Sequence, residues 1–123
     1  EKLAEVVDFI SFGTNDLTQA VYSFSREDAE KKFLNAYLEK GILEHNPFEV
    51  IDKEGVGILM STTIFRARTG WPMLDVGICG EHGGDPRSIH LLVEAGVDYV
   101  SCSPFRVPVA RLAVAQALIA QGA

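Results

Sequence analysis

Leu74 to Ser101 reads LDVGICGEHGGDPRSIHLLVEAGVDYVS, and the fold is decided there. Leu74 to Ile78 is a short apolar run of the kind a buried strand requires. It runs into a polar, glycine-rich turn, Cys79 to Gly84. Asp85-Pro86 then has the form of a helix start, an N-cap followed by proline in the first turn. Ile89, Leu92 and Val93 supply the apolar stripe of that helix, and Gly96 is placed to close it. Val97 to Ser101 reads as the next strand. Strands alternating with helices predict parallel strands in an α/β sheet.

Outward from this unit the alternation continues. Val6 to Phe12 (VVDFISF) is rich in β-branched and aromatic residues, stops at Gly13, and predicts a strand. Ser25 to Asp28 has capping-box form and predicts a helix that carries Phe33, Leu34, Tyr37 and Leu38 and ends at Gly41. Asn46-Pro47 punctuates the chain. A further helix is predicted from Asp52 to about Thr69, with Val56, Leu59, Met60 and Ile64 as its inner face and two glycines, Gly55 and Gly57, weakening its first turn. After a loop over Pro104 to Pro108, Val109 to Ile119 is an apolar, alanine-rich helix. The order is strand, helices, strand, helix, strand, helix, with helices expected on the outer face of the sheet.

Composition narrows the function classes. A chain of 123 residues with a net charge of −6 lacks the basic face that nucleic-acid binding needs. Its apolar runs are too short for a bilayer, and it opens without a basic-then-apolar signal segment. Cys79 and Cys102 are its two cysteines, a count that suits a reducing compartment. The expectation is an acidic cytoplasmic protein, neither membrane-bound nor nucleic-acid-bound. Because it starts Glu1-Lys2-Leu3, without an initiator Met, it reads as a piece of something larger.

The loops after the three predicted strands, Gly13 to Thr18, Cys79 to Gly84 and Cys102 to Arg106, are the most polar and glycine-rich turns of the chain. Gly13 permits close backbone approach to a ligand, Thr14 and Asn15 offer hydrogen bonds, and Asp16 supplies the hard oxygen that Mg²⁺ prefers. The same residues also suit a capping turn that opens a short helix at Leu17. Free thiols titrate near about 8.5 and so carry their proton at neutral pH, which suits a general acid at Cys79 between open glycine neighbours. Cys79 is equally readable as a small packed apolar residue. His82 could orient a phosphate or carboxylate, or cap its loop through the ring nitrogens. Cys79 and His82 have the spacing of a zinc pair, but His90, needed to complete a site with Cys102, sits within a helix in a poor direction. Arg106 suits an anion or a surface ion pair.

FGTNDLTQ (Phe12 to Gln19), GICGEHGGDP (Gly77 to Pro86) and AGVDYVSCSPFRVPVARLAVAQ (Ala95 to Gln116) together resemble the end of the pyruvate phosphate dikinases, among the phosphoenolpyruvate-utilising enzymes. The resemblance takes in Tyr37 to Gly57 and nearly the whole chain. The GEHGG turn with SCSPFRVPVARLA looks like dikinase rather than phosphoenolpyruvate synthase or the phosphotransferase-system enzyme I, which share the first motif more loosely. The resemblance implies the last three strands of a (β/α)₈ TIM barrel, with residues 1–123 forming part of its C-terminal domain. A whole barrel needs about 250 residues. It further implies that Asp16 ligates Mg²⁺ and that Gly13, Thr14, Asn15 and Asp16 contact phosphoenolpyruvate or pyruvate. Cys79 would give its proton to the enolpyruvate methylene carbon. Phosphohistidine and nucleotide domains elsewhere in the dikinase chain would be partners, and the barrel would dimerise. From Ile58 to Gly70 the pattern is more apolar and less regular than in the family. With one metal carboxylate and no phosphate-binding arginine cluster, the isolated chain is expected to be inactive. The alternative from another class is a structural or dimerisation module.

Overall fold

A computed structural model describes residues 1–122. Three parallel strands, β1 (Phe9–Gly13), β2 (Asp75–Cys79) and β3 (Tyr99–Val100), lie side by side in the order of the chain. Between β1 and β2 run α1 (Thr14–Tyr22), α2 (Arg26–Lys32), α3 (Leu34–Glu39) and α4 (Ile58–Gly70). Between β2 and β3 runs α5 (Pro86–Ala95), and α6 (Val107–Ala120) closes the chain. Single turns of 3₁₀ helix occupy Ala4–Val6, Glu81–Gly84 and Pro104–Arg106, and Lys53–Gly57 forms one π turn. The α/β class and the parallel pairing expected from the alternation are both present.

Side chains alternate across the sheet. Val76 and Ile78 are completely buried, and Ile10, Phe12 and Val100 point the same way into the core. There Ile78 meets Ile51, Val56, Met60 and Leu92, while Ile10 meets Ala4, Ala67 and Leu74. Each fully buried side chain of this size contributes roughly 1.5–3 kcal/mol over its exposed state. The opposite face carries Phe9, Ser11, Gly13, Asp75, Gly77, Cys79 and Tyr99, and all but Gly77 are exposed. Gly77 is covered by the Tyr99 ring, which would overlap a Cβ placed there.

Several boundaries differ from the sequence reading. The first strand begins at Phe9 rather than Val6, because Ala4–Val6 wind into a turn whose Ala4 packs against Ala67 and Leu74. The helix expected to start at Ser25 is broken at Phe33, whose φ of −144° leaves helical space. This break stacks the ring edge-on against Phe24 at 5.4 Å and beside Tyr37 at 5.0 Å. Ser25 does cap α2 by accepting from the Asp28 N–H, but the Asp28 carboxylate takes the Ser25 hydroxyl instead of reaching the backbone. Asp52 caps the next segment through the Glu54 and Gly55 N–H groups, and the two glycines fall in the π turn that precedes α4. Val56 in the π turn and Met60 and Ile64 on α4 face inward as expected, whereas Leu59 is exposed and Ala67 takes its place. The third strand shrinks to two residues, and the last helix starts at Val107, two residues early.

Asp85 caps α5 as the sequence implied, accepting from the Ser88 N–H at 2.9 Å and the Ser88 hydroxyl at 3.1 Å. Gly96 ends that helix in the left-handed region, φ +84°. Ala110 and Ala113 let α6 lie close on α5 around Ile89.

Candidate functional site

The carboxyl ends of the strands gather the loops singled out from sequence. Gly13 and Cys79 are register partners at the last rung of β1 and β2. The Thr14 hydroxyl oxygen lies 3.2 Å from the Cys79 carbonyl oxygen, which sets the first turn of α1 against the end of β2. Asn15 Nδ2 comes within 4.0 Å of where a Cβ on Gly80 would sit, and Asp16 Oδ2 within 3.6 Å of the same position on Gly13. Gly80 has φ +119°, a backbone that side chains resist, and a Cβ there would press on Thr14 Oγ1 at 2.9 Å. The glycine is therefore what lets the two turns touch.

Of the residues expected in the site, Thr14 is completely buried and Asn15 is half-buried, with its Oδ1 shielded and without a hydrogen-bond partner. Gly13 and Asp16 are exposed, and Gln19 Nε2 donates to Asp16 Oδ1 at 3.3 Å. Cys79 is exposed on the open face of the sheet, its Sγ 3.7 Å from the Phe12 carbonyl oxygen. Cys102 is half-buried and packs on the cluster of Ile89, Ala110 and Ala113. The helix of this motif starts at Thr14 rather than at Leu17, with Gly13 at its N-cap and no side-chain capping bond.

His82 resolves into a definite role. It is completely buried, with Nδ1 2.7 Å from Thr14 Oγ1 and Nε2 2.9 Å from the Pro47 carbonyl oxygen. Both ring nitrogens are used inside the protein, as in the loop-capping alternative. Burial holds its pKa below the usual 6.5, against the pull of the Pro47 carbonyl, Glu81 and Asp85. Asp85 is also shifted: burial pushes it up, but hydrogen bonds from Arg87 and Ser88 prevail and leave it below the usual carboxylate value.

Next to these turns opens a cavity of about 810 Å³, lined in part by Asn15, Gly80, Ser101, Ser103, Arg26 and Arg106. Asp16 and Cys79, beside lining residues Asn15 and Gly80 in sequence, do not line it themselves. Arg26 is fixed by Glu81 at 2.9 Å and lies over the Phe48 ring, 5.4 Å from its centroid. Among the described residues, no three His, Cys, Asp or Glu side chains converge to enclose a metal.

The family described as "PEP-utilising enzyme, PEP-binding domain" matches residues 1–119. The chain belongs to that family. Over 120 residues it is 58% identical to pyruvate, phosphate dikinase 1, chloroplastic, of Arabidopsis thaliana, which covers 98% of this chain and 12% of the relative. The rice (Oryza sativa subsp. japonica) protein named pyruvate, phosphate dikinase 1, chloroplastic, is 57% identical over 119 residues, 97% of this chain and 12% of its own length. Pyruvate, phosphate dikinase 2 of Zea mays is 56% identical, over 97% of this chain and 13% of its own. The chain thus spans about an eighth of the length of these enzymes.

Three features of the strand ends are not evident in the sequence. α1 begins at Thr14, three residues ahead of the short helix that the sequence offered at Leu17, and Thr14 to Tyr22 contains no proline or glycine to stop it. The Pro47 carbonyl, which receives His82, lies in a loop far away in sequence, and only the Asn46-Pro47 turn hinted at a fixed backbone there. Arg26 reaches the cavity from a helix start whose capping pattern concealed any further use. No helix among the described residues is long and apolar enough to cross a membrane.

Proposed function

We propose that this chain forms part of the phosphoenolpyruvate/pyruvate site of a pyruvate phosphate dikinase, as the last three strands of a (β/α)₈ barrel. The observation that carries this reading is the junction of Gly13-Thr14-Asn15-Asp16 with the Cys79 turn at one end of the sheet. In barrels of this kind the chemistry sits at the carboxyl ends of the strands. Sequential parallel strand order supports the barrel, as does a sheet face left bare although parallel sheets are normally covered on both sides. Further strands would curve round to enclose that face.

Gly13, Thr14 and Asn15 bind the three-carbon acid, partly through backbone groups exposed by the glycine. Asn15 Oδ1, shielded and unpartnered, is free to receive a donor. Cys79 holds the proton that goes to the enolpyruvate methylene carbon, and takes it back in the reverse direction. Asp16 fits one place in the shell of a Mg²⁺ ion, which binds through one or two carboxylates together with water and substrate oxygens. When bound there, the ion would supply positive charge for the enolate oxygen. Phosphohistidine and nucleotide domains elsewhere in the parent chain would deliver the phosphoryl group. The GEHGG turn favours dikinase over phosphoenolpyruvate synthase and enzyme I of the phosphotransferase system, and the relatives reported above are all dikinases.

Cys79→Ala in the full-length parent tests this reading. It should abolish exchange of the pyruvate methyl protons with solvent and leave the nucleotide half-reaction intact. Exchange that persists in the variant removes Cys79 from the acid role.

A further inference from the structure

The Thr14 hydroxyl stands between two groups that compete for its single proton. Its oxygen is 2.7 Å from His82 Nδ1 and 3.2 Å from the Cys79 carbonyl oxygen. The other ring nitrogen, Nε2, faces the Pro47 carbonyl at 2.9 Å. A carbonyl only accepts, so Nε2 carries a hydrogen. A neutral imidazole has one N–H, which leaves Nδ1 a bare acceptor. Thr14 must then donate to Nδ1, and no proton remains for the Cys79 carbonyl. Protonation of Nδ1 reverses the relay: Nδ1–H donates to Thr14 Oγ1, and the Thr14 hydroxyl turns to donate to Cys79. Thr14 and His82 are both completely buried, so solvent does not interrupt the bond between them.

We propose that His82 is a positioning residue of the candidate site: through the Thr14 hydroxyl, its ring decides whether the Cys79 carbonyl is bonded to the Gly13–Asp16 turn. The functional meaning of this relay rests on the reading of Cys79 as the acid and of Gly13–Asp16 as the substrate turn. The relay itself does not. The charged groups acting on the ring are Glu81 on its own turn, Asp85 at the start of α5 and Arg26 at the start of α2. The Pro47 loop also carries Glu49, and α1 carries Asp16, both exposed. Burial and Arg26 favour the neutral ring, and the carboxylates favour the cation. The resting arrangement is therefore the neutral one, with the thiol turn released from Thr14 and free to adjust its distance from a bound acid.

The test is imidazole ¹⁵N and cysteine carbonyl ¹³C NMR on this chain, without substrate, with Cys102→Ala used to assign the Cys79 signal. At neutral pH the His82 ring should be protonated on Nε2 and bare on Nδ1. On acidification the Cys79 carbonyl signal should move with the same midpoint as His82. Thr14→Ser should keep that common midpoint, and Thr14→Val should abolish the Cys79 response. A ring protonated on Nδ1 at neutral pH, a Cys79 signal indifferent to His82, or coupling that survives in Thr14→Val overturns the proposal. Should Thr14→Val not fold, the parent chain and Thr14→Ser still decide it. Because no substrate is involved, failure here is distinct from failure of the pyruvate reading, which the proton-exchange assay measures separately.

Discussion

His82 shows how a single residue sets a solution property. Its pKa lies below the usual 6.5 in the folded chain, mainly because burial disfavours the cation. Between the folded and unfolded values the unfolded chain binds the extra proton, so stability rises with pH across that window. The contribution is complete above about 6.5 and is lost as the pH falls toward the folded value. Asp85, also lowered, adds a second loss below its usual 3.8. Thermal melts should therefore show Tm beginning to fall below about pH 6.5, before the carboxylates titrate. His82→Ala should remove that first phase and, by leaving the buried Pro47 carbonyl without a donor and a cavity beside Thr14, cost roughly 2–4 kcal/mol. An unchanged acid profile in the variant would assign the early loss to another group. His82 was read from sequence as either a ligand group or a loop cap. Its neighbours in the chain did not distinguish the two, because Thr14 and Pro47 reach it from 68 and 35 residues away.

At the scale of the element, the pairing of β2 with β3 depends on a missing side chain. Tyr99 lies across Gly77, so a methyl group there collides with the ring. Gly77→Ala should destabilise the chain by about 1–3 kcal/mol, the usual cost of overpacking. Urea unfolding of Gly77→Ala, Tyr99→Ala and the double variant would measure this, and the double variant should recover part of the loss. Full additivity would mean that the ring moves aside freely. The strands, α5 and its two caps were legible locally, since the Asp85-Pro86 start and the Gly96 stop act within one turn of backbone. The break between α2 and α3 was not legible. Helical spacing continues through Phe33, and only the aromatic contacts of Phe24, Phe33 and Phe48 draw the chain out of the helix.

At the scale of the whole molecule, the bare sheet face and the outer side of α6 leave large apolar groups in water. Phe9 is 59% exposed, Leu112 61% and Ile119 72%. Patches of this kind favour association when nothing else covers them. Multi-angle light scattering of the isolated chain should show dimers or larger species, with a second copy as the occupant. A clean monomer across the micromolar range would contradict this. On the proposed reading, the isolated chain should also form no phosphoenolpyruvate from pyruvate, because a single metal carboxylate without a phosphate clamp would give little stabilisation of transition-state charge. Turnover by a preparation free of contaminating enzyme would reverse that expectation.

By itself the sequence determined the α/β class, the parallel pairing of the strands and the family. Each of these depends on residues close together in the chain: alternation within a strand, a cap within one turn, a motif within one loop. Tertiary structure alone decided that the Gly13 turn and the Cys79 turn share a rung, that His82 is spent on Thr14 and Pro47, and that one sheet face is left open. Those outcomes depend on packing between segments tens of residues apart, where a hydrogen bond is made or lost by ångströms that no local pattern encodes.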